Sequence, residues 1–168
     1  MTSAKLILPF LIMGSLTLPL SSCMPASQAQ PASPESMQTP ARINQQKSNY
    51  TVTETVERLK SEIDAAGLTL MTTVDHGANA QKVNQSLRPT VLLIFGNPNI
   101  GTQLMQENQQ FGLDLPQKFL VWQNANNEVM VSWNNPQHTA REYNLPENFD
   151  AIGKVDGALQ MLADKATR

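Results

Sequence analysis

Residues 90–95 read Thr-Val-Leu-Leu-Ile-Phe, with Arg88-Pro89 before them and Gly96-Asn97-Pro98 after. A short, continuously apolar run bounded by breakers on both sides reads as a strand, and one with no polar face belongs in the middle of a sheet. The rest of the chain has to be arranged around that strand. Upstream, Val52, Val56, Leu59, Ile63 and Ala66 recur at helical steps, with Thr51 and Glu54 spaced as a capping box and Gly67 as the stop. Leu68, Leu70, Thr72, Val74 and His76 then alternate with Thr69, Met71, Thr73 and Asp75, the period of a half-buried strand. A short helix is expected through Ala78, Val83 and Leu87.

Downstream, Gly96-Asn97-Pro98 opens a helix with Ile100, Leu104 and Met105 inward, expected to close at Gly112. The runs Lys118 to Gln123 and Glu128 to Trp133 flank four residues rich in Asn, which predicts a hairpin. Asn135-Pro136 has the form of a cap and first helical position, and Ile152, Val155, Leu159, Leu162 and Ala166 mark one face of a closing helix. This order predicts an α+β fold.

Of the 168 residues only 15% are charged, and the formal net charge of -2 supplies no basic field for phosphates, so no nucleic-acid partner is expected. The single cysteine, Cys23, excludes an intrachain disulfide, a paired-cysteine redox motif and a multi-cysteine zinc site. Residues 1–22 carry one charge, Lys5, before an apolar run broken by Pro9, Gly14 and Pro19, the layout of a signal peptide. They end in Leu20-Ser21-Ser22-Cys23, which resembles the lipobox of bacterial lipoproteins. That resemblance implies a lipid-modified Cys23 at the mature N-terminus, hence membrane lipid as a partner and an envelope location facing the periplasm. Met24 after the cysteine points to the outer rather than the inner membrane. Residues 23–49, rich in Pro, Ser, Gln and Ala, read as a disordered tether, which leaves residues 50–168 as the domain.

Asp75-His76-Gly77-Ala78-Asn79-Ala80, Leu87-Arg88-Pro89-Thr90, Phe95-Gly96-Asn97-Pro98 with Gly101-Thr102, and Asp114-Leu115-Pro116 with Lys118 follow one another along the chain. Together they resemble the bacterial domain of unknown function 302 family over nearly all of residues 51–162. The resemblance implies helices on one face of an antiparallel sheet, in a TATA-binding-protein-like β-α-β(4)-α arrangement, and no established activity. The chain departs from the family pattern at Glu142, where a second His is common, and at Gln117, where Leu is common.

Two classes of function are carried forward. In the favoured one the domain binds a small ligand or an envelope protein, with Asp75, His76, Arg88, Gly96, Asn97, Gly101, Thr102 and Lys118 as candidate contacts. Gly96 to Thr102 sits between a strand and a helix, where backbone amides can cradle an anion. No catalytic residue, metal ligand or cofactor is assigned in that reading. The other is a metal-dependent or acid/base enzyme using Asp75, His76 and Arg88, since a carboxylate beside an imidazole can set its tautomer or move a proton. His138 would complete a two-His site, with Asp75 or Asp114, only if the fold brought them together. Dimerisation through a sheet edge is a further expectation.

Overall fold

In the computed structural model, residues 41–146 and 149–168 are described. The expected signal peptide, the lipobox cysteine Cys23 and most of the tether lie outside them. Five antiparallel strands, β1 (Ile43–Ser48), β2 (Thr69–Asp75), β3 (Thr90–Gly96), β4 (Gln117–Gln123) and β5 (Val129–Asn134), form one sheet in the order β1-β5-β4-β3-β2. The helices are α1 (Val52–Ala65), α2 (His76–Lys82), α3 (Pro98–Glu107), α4 (Pro136–Glu142) and α5 (Asp150–Thr167). This is the expected α+β fold. The apolar strand β3 is paired on both sides, although β4 is the middle of the sheet.

One face of the sheet presents Leu93, Phe95, Phe119, Val121, Val131 and Trp133 to Leu59 and Ile63 of α1 and Leu159 and Leu162 of α5. Alternation along each strand puts Leu92, Ile94, Leu120, Trp122 and Met130 on the other face, where all five are half-buried. An aromatic row crosses the core. Phe95 stacks on Phe119 at 5.1 Å, and Phe119 meets Trp133 edge-on at 5.5 Å. A second cluster, Leu104, Phe111, Ala140, Leu145, Ala151 and Ile152, ties α3, α4 and α5 together.

Local signals explain most boundaries. Thr51 and Glu54 form the reciprocal capping box that starts α1, and Gly67, at φ +68°, stops it in a conformation that costs glycine little. Asn127, at φ 63°, turns the β4–β5 hairpin. Three expectations are corrected. The tether does not reach residue 49, because Ile43–Ser48 pairs with β5 from Ile43↔Asn134 to Ser48↔Val129. Its inward side chains are polar but satisfied: Gln46 donates to Asp164 and Thr167 of α5, and Ser48 shares a hydrogen bond with Thr55. His76 is not on a strand, because Asp75 accepts from Ala78 N at 2.8 Å and so starts α2 at His76. A register shift between Leu70 and Thr72 also breaks the alternation that had put His76 on the Leu68 face. Finally, α3 ends at Glu107 rather than Gly112. Asn108 adopts extended backbone, accepts from Gln110 N and donates to the Tyr143 carbonyl, starting a short 3-10 turn instead.

Candidate functional site

The candidate residues divide between the two ends of the sheet. Asp75 pairs with Val91 and Thr69 with Gly96, so five residue steps along β3, about 17 Å, separate the Asp75 end from the Gly96 end. Asp75, His76 and Arg88 therefore do not join the Gly96–Thr102 turn in one site. At the first end each charged group has a structural task. Asp75 caps α2, and Arg88 Nε donates to the Gln123 carbonyl at 2.9 Å, joining the approach to β3 to the end of β4. Asp75 also borders a cleft beside Tyr50 and Thr51 that neither His76 nor Arg88 lines. His138 lies at the opposite end, on α4, with Nε2 3.4 Å from Glu142. No group of three or more His, Cys, Asp or Glu among the described residues is placed to hold a metal.

At the other end, Gly96, Asn97, Gly101 and Thr102 line a cavity of about 290 Å³. Its remaining wall is almost all hydrocarbon: Met71 from β2, Phe95 from β3, Ile100 and Met105 from α3, Leu115, and Leu159 from α5. For scale, an apolar cavity of about 150 Å³ stays dry and binds benzene. The anion-cradle expectation for this turn is corrected. Asn97 accepts from Asn99 N through its side chain and from Ile100 N and Gly101 N through its carbonyl, while Pro98 has no N–H to offer. The amides that would hold an anion are already bonded, and the space beside them is apolar.

Gly101 packs beside Leu115, where a Cβ would stand 3.4 Å from that side chain, at the near edge of ordinary van der Waals contact. Lys118 supports the same wall from outside the cavity. Its ammonium donates to the carbonyls of Asp114 at 2.7 Å and Pro116 at 2.8 Å, clamping the Leu115-Pro116 segment against β4. Burial pushes the Lys118 amine below its ordinary value, with the Asp114 charge opposing that shift. Asp114 in turn accepts from Tyr143 Oη at 2.7 Å, which holds the Tyr143 hydroxyl above its ordinary value. Sequence reasoning found the turn but missed Met71, Leu115 and Leu159, whose apolar character alone did not distinguish cavity wall from packed core.

A profile of the family described as "Domain of unknown function DUF302" matches residues 44–165. A crystal structure of a DUF302 protein from Bacillus stearothermophilus superposes with a TM-score of 0.70 at 21% identity, covering 77% of this chain and 100% of that one. Among curated proteins, the fluoride-specific ion channel FluC 1 of Brucella suis is 40% identical over 108 residues, 64% of this chain and 42% of the relative. FluC 2 of Brucella melitensis matches equally, over 40% of its length. The chain thus spans about two fifths of the curated relatives it matches, whereas the family profile spans most of the chain, from β1 into α5. The chain belongs to the DUF302 family.

Proposed function

We propose that the chain is a lipid-anchored envelope protein whose DUF302 domain binds a small, largely apolar molecule in the cavity beside Gly96–Thr102. The observation that carries this reading is the cavity itself: space of about 290 Å³ walled by Met71, Phe95, Ile100, Met105, Leu115 and Leu159, with Asn97, Thr102, Gln117 and Lys154 as the polar side chains of the lining. Apolar walls with a few placed polar groups suit a ligand bound by burial and oriented by one or two hydrogen bonds. The flexible thioethers of Met71 and Met105 adapt to its shape. N-phenyl-1-naphthylamine, which fluoresces in apolar surroundings, tests the reading. Saturable enhancement, reversed by decanoic acid, is expected, and a signal that rises linearly without saturation would contradict it.

The anchor rests on Leu20-Ser21-Ser22-Cys23. Acyl chains contribute about 0.8 kcal/mol for each buried methylene, so two or more hold a protein stably on a membrane. Membrane fractionation of wild type against Cys23→Ser tests it, and equal release of both into the soluble fraction would exclude the anchor.

The Brucella relatives named as fluoride channels favour a second reading, in which this domain handles fluoride beside a membrane partner. No helix among the described residues is long and apolar enough to cross a membrane, so that role would be accessory to a pore formed elsewhere. The satisfied amides of Asn99, Ile100 and Gly101 weigh against fluoride binding there. Fluorine NMR of fluoride with the purified chain decides between the readings: an unchanged line supports the apolar ligand, and saturable broadening supports fluoride.

A further inference from the structure

The lining of the cavity beside Gly96–Thr102 is graded in depth. Phe95, Leu104, Leu159 and Leu162 are buried and form its inner end, whereas Met71, Pro98, Thr102 and Lys154 are exposed and mark its mouth. Helix α5 carries the same gradient along one wall: Leu162 and Leu159 are buried, Ala158 and Val155 half-buried, and Lys154 exposed. Lys154 is the one charged residue in the described lining, and no carboxylate stands with it in that wall. Its side chain is 61% exposed, so the aliphatic stem lies along the rim while the ammonium stays in water. The ion-pair partner of that ammonium is Asp150, one turn earlier on α5 and 82% exposed. A pair this open to water contributes little, so Asp150 yields to a carboxylate that the cavity itself holds beside Lys154. The cleft of about 900 Å³ on the other side of α5, beside Trp133, presents Arg141 and Asp156 among amides and suits no hydrocarbon tail.

We propose that the ligand of this cavity is a single-chain fatty acid, bound tail-first, whose carboxylate pairs with Lys154 at the mouth. This rests on the reading of the cavity as an apolar-ligand site and adds the chemistry of the head and the length of the tail. An apolar cavity of about 150 Å³ holds benzene, so at the same packing about 290 Å³ holds about a dozen carbon atoms. A medium-length chain fits that space, and a phospholipid with two long chains does not. Lys154 then selects the head. A cationic head meets like charge there, and a neutral head leaves Lys154 with Asp150 and gains nothing from it.

The test is displacement of N-phenyl-1-naphthylamine from the purified chain by decanoate, decan-1-ol and decylammonium at submicellar concentrations. Decanoate should displace the probe about fivefold better than decan-1-ol, with decylammonium the weakest. Across fatty acids of increasing length, affinity should rise about fourfold per methylene and level off once the tail fills the cavity, near dodecanoate. Lys154→Met, at an exposed position, keeps the stem and removes the charge, and it should bring decanoate and decan-1-ol to the same affinity. Lys154→Glu should put decylammonium ahead of decanoate. Equal displacement by decanoate and decan-1-ol in the wild type, or a ratio that Lys154→Met leaves unchanged, would overturn the proposal while the apolar site stands. Affinity that keeps climbing to hexadecanoate would place the tail on the open surface and would overturn it as well. Absence of saturable probe binding would remove the site and the proposal together.

Discussion

The cavity beside Gly96 and the cleft beside Trp133 lie at the same end of one sheet, yet one is walled by hydrocarbon and the other by amides and charges. Helix α5 divides them. Val155, Ala158, Leu159 and Leu162 face the cavity, whereas Asp156, Gly157 and Gln160 face the cleft. A helix turning about 100° per residue gives two surfaces of different chemistry to one stretch of sequence. Below it, the row Phe95, Phe119, Trp133 runs from the cavity wall to the cleft wall across three adjacent strands. The two regions share a foundation and differ in what stands on it.

The largest expected effect comes from removing that foundation. Phe119→Ala, at a fully buried position touching both other rings, should cost about 3–5 kcal/mol in denaturant unfolding. It should also weaken the apolar probe, and unchanged probe binding would show that the cavity does not depend on this row. Next comes a substitution confined to the cavity. Ala158→Phe directs a ring into the cavity and should weaken N-phenyl-1-naphthylamine about tenfold or more. In a core already packed, the same ring would cost about 1–3 kcal/mol, so unchanged or raised stability identifies real space.

A smaller effect is expected at the far end of the sheet. Asp75→Ala removes the cap of α2 and should cost about 1 kcal/mol, leaving the apolar probe response unchanged. Loss of that response would return Asp75 to the list of ligand contacts. The smallest effect is on pH dependence. Hydrogen bonds from Thr51 hold the Glu54 carboxyl below its ordinary 4.5. Its unfolded form binds a proton first as the pH falls, so the stability it contributes is present above 4.5 and is lost as pH falls through the lowered folded value. Glu54→Gln should therefore flatten the unfolding midpoint between neutral and acid pH, and an unchanged acid slope would remove Glu54 from the account.

Elements that build the sheet core were legible because their apolar residues form an unbroken run or keep one period. Thr90 to Phe95 announced an interior strand, and Val52, Val56, Leu59 and Ile63 announced α1. Strand β1 was not legible. Its stability lies in backbone pairing with β5 and in Gln46 and Ser48 reaching the helices, so its sequence looks like a polar linker. The site was half legible. Breakers around Gly96–Gly101 marked the turn, but the apolar character of its surroundings depends on α5 and Leu115, which are distant in sequence. Asp75 and Arg88 drew attention by charge, and their partners turned out to be a helix amide and a strand carbonyl.

The central claim, that a small apolar molecule occupies the space beside Gly96–Thr102, is tested most directly by methionine-methyl NMR of the full chain titrated with decanoic acid. Met71 and Met105 line the cavity, whereas Met130 lies on the opposite face of the sheet and Met161 is 45% exposed on α5. Saturable shifts confined to the methyls of Met71 and Met105 are the predicted result. Equal shifts at Met130 and Met161, or none at Met71 and Met105, would contradict the account.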